Sequence, residues 1–140
     1  MLLDTNVVLA LMWRQAYGHE AAHAWLRRAH RFYTTPATEW SAVRVSLHKA
    51  KGTLPEVLAA LASVIHHRKQ QPATDARLPD PDWPLWRHLH GSKLVPDFWL
   101  LATAEALGTE LITLDARAWE VLPPAQRTRI RLLRPSSPPG

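Results

Sequence analysis

The chain has no cysteine among its 140 residues, so it carries no disulfide framework and offers no thiolate as nucleophile or metal ligand. That composition is compatible with a reducing compartment, and a cytoplasmic location is expected. Long apolar runs are also missing. The opening stretch from Met1 to Trp13 has Asp4 in its middle and no basic leading segment, and it falls well short of the roughly 20 residues that cross a bilayer. It reads as a buried strand followed by a helix, with no expectation of export or of a membrane partner. Eight histidines are present, including His66-His67 and His88-x-His90, but no set has a zinc-site spacing, so they read as surface residues. Internal repeats and domain-separating linkers are absent. The expected organisation is one domain over 1–134 and a disordered tail, rich in proline and serine, over 135–140.

Acids are outnumbered, 12 Asp and Glu against 17 Lys and Arg, which gives a formal charge of +5 and favours polyanionic partners. Apolar runs alternate with helical periodicity along the chain. Met1 to Leu3 is a short strand ending at Asp4, after which Thr5 or Asn6 can cap a helix from Val7 to about Trp13. Gly18 opens a second helix, with Ala22, Trp25 and Ala29 on its apolar face. Phe32 to Thr34 is a second strand. Thr35-Pro36 starts a helix to Lys51, carrying Trp40, Val43, Leu47 and Ala50 at helical spacing and stopped by Gly52. Thr53-Leu54-Pro55-Glu56 has the form of a capping box for a helix to about Gln71. The proline-rich stretch 72–84 reads as a connection with room for a short strand, followed by a helix from Trp83 to about His90. A nearly all-apolar helix runs from Pro96-Asp97 to Gly108, Leu111 to Leu114 is a buried strand ending at Asp115, and Ile130 to Leu133 is an edge strand.

This alternation predicts a three-layer α/β/α domain with a mostly parallel sheet of four or five strands, in which ligands bind where the strands end. Four acids fall at that edge. Asp4 and Asp115 follow strands directly, whereas Glu39 and Asp97 lie in the first turns of helices. Each alone can be no more than a helix cap. Together they form a carboxylate nest suited to Mg²⁺ or Mn²⁺, hard cations that prefer oxygen ligands. In a basic protein that chemistry suits metal-assisted phosphodiester hydrolysis, with Asp4 and Asp97 as direct ligands and Asp115 a direct or water-mediated one. Glu39 is a further ligand or the base that orients water. Asn6 and Thr113 can hydrogen-bond to these carboxylates, and Asn6 can alternatively cap the first helix.

In Leu3-Asp4-Thr5-Asn6, Thr38-Glu39-Trp40-Ser41-Ala42-Val43-Arg44, Asp97-Phe98-Trp99-Leu100-Leu101-Ala102-Thr103-Ala104 and Thr113-Leu114-Asp115 the chain resembles the PIN-domain ribonucleases, and among them the VapC-type toxins of bacterial toxin–antitoxin pairs. The resemblance extends from Met1 to about Leu133. It implies strand order 3-2-1-4-5 and Mg²⁺- or Mn²⁺-dependent endoribonuclease activity on transfer, ribosomal or messenger RNA. It also implies a cognate antitoxin and a homodimer. Two departures stand out. Trp119 replaces the usual Phe after the last acid, and the bulky pair Phe98-Trp99 follows Asp97.

Arg14, Arg44, Lys93 and Arg117 are candidates for holding RNA phosphates, each contact adding to a salt-sensitive affinity. The same charges can equally be a solvated face. Trp25, Trp40 and Trp99 have core spacing, while Trp83 and Trp86 lie near loops, where packing competes with stacking on a base. Two other readings remain. An aspartyl phosphotransferase of the haloacid-dehalogenase kind also places Asp after its first strand, but needs Asp where this chain has Asn6. A catalytically inactive PIN-like RNA-binding or scaffold domain would not need to keep all four acids.

Overall fold

Leu2 and Leu3 make up β1 (Leu2–Leu3), the central strand, and their side chains leave the backbone on opposite faces. In the computed structural model, which describes residues 1–135, Leu2 packs with Leu111, Ile130, Leu101 and Ala104 on one side of the sheet. Leu3 packs with Ile112, Phe32, Val7 and Trp25 on the other. The two cores flank a five-stranded, wholly parallel sheet of order β3-β2-β1-β4-β5, built from β2 (Phe32–Thr34), β3 (Gln70–Pro72), β4 (Leu111–Thr113) and β5 (Ile130–Leu132). This is the layered architecture and strand order that the sequence led us to expect. The expected tail lies outside the described residues apart from Pro135.

One face is covered by α1 (Thr5–Met12), α2 (His19–Arg28), α3 (Pro36–His48) and α4 (Leu54–Ile65). The other carries α5 (Val95–Ala106), the short α6 (Arg117–Val121) and the connection through Trp83 and Leu85. Among the described residues no helix is long and apolar enough to cross a membrane. Gly18 caps α2 at φ +80°. A Cβ there would come within 2.5 Å of Leu114, so glycine permits the turn that seats α2 beside the end of β4.

Several boundaries differ from those expected. Asp4, rather than Thr5 or Asn6, caps α1. The helix expected to reach Gln71 stops at Ile65, and Gln70-Gln71-Pro72 pairs as an edge strand with β2, where a polar sequence ending in proline is tolerated. Trp83 to His90 forms only a 3-10 turn, Pro84–His88. Trp40 is 75% exposed and Trp99 46%, so of the three tryptophans expected in the core only Trp25 is buried there.

The helix expected to run to Lys51 ends at His48. Ala50 turns into the left-handed region at φ +50°, and the Lys51 and Ala50 N–H groups close back on Ser46 and Leu47 at 2.9 and 3.1 Å. Glycine is the residue this cap favours, as Gly108 shows at the end of α5 with φ +67°. Ala50→Gly is therefore expected to stabilise the fold by roughly 0.5–1 kcal/mol in urea denaturation, because relief of left-handed strain exceeds the entropy that glycine adds to the unfolded chain.

Candidate active site

Asp4 ends the central strand, and its backbone carbonyl already accepts the first bonds of α1, so its side chain is fixed at the middle of the sheet edge. It is only 8% exposed. One carboxylate oxygen accepts from the Thr5 N–H at 2.6 Å; the other accepts from the Thr113 hydroxyl at 2.7 Å and the Asn6 amide at 3.4 Å. The Thr113 hydroxyl, at the end of the neighbouring strand, also accepts from Asn6 at 3.2 Å and from the Asp115 N–H at 3.1 Å. Asn6 completes the frame by accepting from the Leu114 N–H at 3.1 Å. Asn6 and Thr113 thus tie the ends of β1 and β4 together around one carboxylate. Burial is the main reason that Asp4 titrates above the ordinary carboxylate range, and the charge of Asp115 adds to it against these hydrogen bonds.

Asp97 lies in the first turn of α5, on the other side of the sheet. Burial, then the charges of Asp4 and Asp115, push its pKa up to about 6. Asp115 behaves differently. Burial would raise it too, but both oxygens are taken by Arg117, whose Nε and second guanidinium nitrogen lie 2.8 and 2.6 Å from Oδ2 while its N–H donates to Oδ1 at 2.9 Å, and the net shift is downward.

Asp97 therefore senses the charges of Asp4 and Asp115, and Asp4 senses that of Asp115. Glu39 does not figure among the charges that shift them. It sits in the first turn of α3 and accepts from the Thr34 hydroxyl at 2.8 Å, which in turn accepts from Gln70 at 2.9 Å. Among the described residues, no three acidic or histidine side chains stand close enough to share a single cation as they are. The donor chemistry nonetheless fits a hard divalent ion: oxygens only, at one strand edge, with Asp4 and Asp97 raised in pKa by burial and then by neighbouring carboxylate charge. Asp115 is paired with Arg117 instead.

Of the basic candidates, Arg14 follows α1, Arg44 lies on α3 and Lys93 lies in the 3-10 turn before α5, all exposed; Arg117 is the partner of Asp115. Three residues at this edge escaped the sequence reading. Thr34 and Gln70 fix Glu39, and Asp75 accepts from the Ala37 N–H in the first turn of α3 at 3.2 Å. Only the side-chain chemistry of Thr34 at a strand end could have signalled any of them.

The PIN domain model matches residues 1–122. Ribonuclease VapC38 of Mycobacterium tuberculosis is 34% identical over 141 residues, covering 94% of this chain and 96% of that protein. Ribonuclease VapC39 of the same organism is 32% identical over 127 residues, covering 82% and 88%. Among solved structures, that of Mycobacterium tuberculosis VapC20, described as a sarcin-ricin loop cleaving toxin, shares the fold with a TM-score of 0.61 at 15% identity, over 83% of this chain and 90% of that one. With its strand order, its edge of acids and these relatives, the chain belongs to the PIN-domain family, in its VapC branch.

Proposed function

We propose that the protein is a Mg²⁺- or Mn²⁺-dependent endoribonuclease and the toxin of a toxin–antitoxin pair. One observation supports the reading: Asp97 lies within electrostatic reach of Asp4 and Asp115, each from a separate element at one strand edge of a PIN domain whose curated relatives are ribonucleases. Asp4, Asp97 and Asp115 would hold the metal. When bound, the ion supplies a more acidic water and charge stabilisation for the attacking and leaving oxygens of a phosphodiester. Asn6 and Thr113 orient Asp4, and the Thr34–Gln70 chain orients Glu39 for a water on its side of the site. The positive balance of the chain draws the RNA.

A cognate antitoxin and a second copy of the chain belong to the same reading. An apolar cleft of about 300 Å³ beside α5, lined by Trp83, Trp86, Phe98 and Trp99 with Leu78 and Val95 exposed, supports a protein contact on that face. Induced alone, the protein is expected to arrest growth and to generate new RNA 5′ ends within minutes, and co-expression of the protein from the neighbouring gene should relieve the arrest. Growth and end-mapping of total RNA check both. Unimpaired growth with an unchanged RNA end profile at high expression would overturn the reading.

A further inference from the structure

A cleft of about 190 Å³ opens at Asn6, the residue that frames Asp4, and runs between α1 and α3 to the segment beyond each. Its walls include Leu9, Trp13 and Tyr17 on one side, and Lys49 and Lys51 on the other. We propose that this cleft seats an unpaired nucleobase next to the scissile phosphodiester, with Tyr17 as the stacking surface and Lys49 and Lys51 holding flanking phosphates. The assignment rests on the nuclease reading above and adds a substrate-binding subsite to it.

Three features argue for a nucleobase. The cleft is smaller than the roughly 300 Å³ at which drug-sized sites begin, so it suits one planar group better than a packed peptide segment. Tyr17 is 70% exposed, a large aromatic face left to solvent at the cleft mouth. Stacking on such a face serves any base, because every base has a π-surface. The opposite wall is positive, and no acid lines the cleft among the described residues, so its charge complements a nucleic-acid backbone.

The inner wall is also stiff. Trp13 donates its indole N–H to the Ser46 hydroxyl at 2.9 Å, pinning α3 to the end of α1, and Asn6 is held from three sides by Asp4, Thr113 and Leu114. A base seated there would keep a fixed relation to the acid cluster. Lys49 and Lys51 also lie where they complement the C-terminal carbonyls of α3, a purely structural role that would leave RNA binding untouched.

The test is binding of a short single-stranded oligoribonucleotide in EDTA, followed by fluorescence anisotropy at salt concentrations from about 50 to 200 mM. Tyr17→Ala should weaken binding by roughly 5- to 100-fold, and Tyr17→Phe should restore most of it. Lys49→Ala and Lys51→Ala should each lower the slope of log affinity against log salt by about 0.7. A duplex of the same sequence, whose bases are not free to enter, should be indifferent to Tyr17→Ala. Unchanged affinity and slope in these variants, with wild-type protein still binding and cleaving RNA, would overturn the cleft assignment alone. Variants that keep RNA binding but no longer respond to the neighbouring gene's protein would assign the cleft to that partner and overturn it too. Failure of the wild type to bind or cleave any RNA would bring down the nuclease reading itself.

Discussion

Asp97→Asn is expected to lower the rate of RNA cleavage by at least about 10³-fold while making the metal-free protein more stable. The first effect follows from the role proposed for this side chain. Removing a direct ligand forfeits several kcal/mol of transition-state stabilisation, and each 1.36 kcal/mol is a factor of about ten. The second follows from its surroundings. Burial and the charges of Asp4 and Asp115 raise its pKa from 3.8 to about 6 in the fold. Because the folded pKa lies above the unfolded one, the native state binds the extra proton. Stability is therefore lost as pH rises from about 4 to about 6, and remains lost at pH 7. Asparagine removes that repulsion. The gain is on the order of 1 kcal/mol after allowing for solvent screening and for the favourable place of an acid in the first turn of α5. Single-turnover cleavage and thermal melts in EDTA, across pH 4 to 8, read the two effects on one sample. Loss of both activity and stability would mean that Asp97 supports the fold rather than the chemistry.

Removal of divalent metal should abolish cleavage to the same extent, at least about 10³-fold, and Mg²⁺ or Mn²⁺ should restore it. An oxygen-only donor set gives no preference for zinc. Metal should also act on the folded state. At a hundred times its dissociation constant it stabilises by about 2.7 kcal/mol, so the wild-type melting temperature should rise on adding Mn²⁺, and that of Asp97→Asn should rise much less. Cleavage that persists undiminished in excess chelator would leave the acid cluster without the role proposed for it.

The placement of these acids at strand ends and helix starts could be read from the chain. Asp4 and Asp115 were legible because a run of apolar residues that stops at an acid marks a strand end. Asp97 was legible because Pro96 marks the first turn of its helix. The capping box at Thr53 and Glu56 formed as its spacing indicated. The order of the strands was less a matter of residues than of family likeness. Strand β3 was hidden because Gln70-Gln71-Pro72 pairs through its backbone at a sheet edge and buries no apolar face. Trp40 misled for a different reason. Helical spacing says which residues share a face, not whether another element covers it, and no apolar layer covers Trp40. The Thr34–Gln70 support of Glu39 joins residues 36 positions apart, a contact that exists only once β2 and β3 are side by side.

The grip of Arg117 on Asp115 has a kinetic consequence. Two hydrogen bonds and a further ion-pair contact from one residue occupy both oxygens of this carboxylate, so an ion binding as proposed would find them already in use. Under the proposed reading, loading at Asp115 is a displacement, and its rate has a ceiling set by how often the guanidinium lets go. Rapid mixing should show the observed rate climbing with metal concentration and then levelling off. In Arg117→Gln the plateau should rise or vanish. The departing guanidinium is exposed at the rim of the site, and a single side chain could thus serve as counter-ion before the metal arrives and as a phosphate contact afterwards.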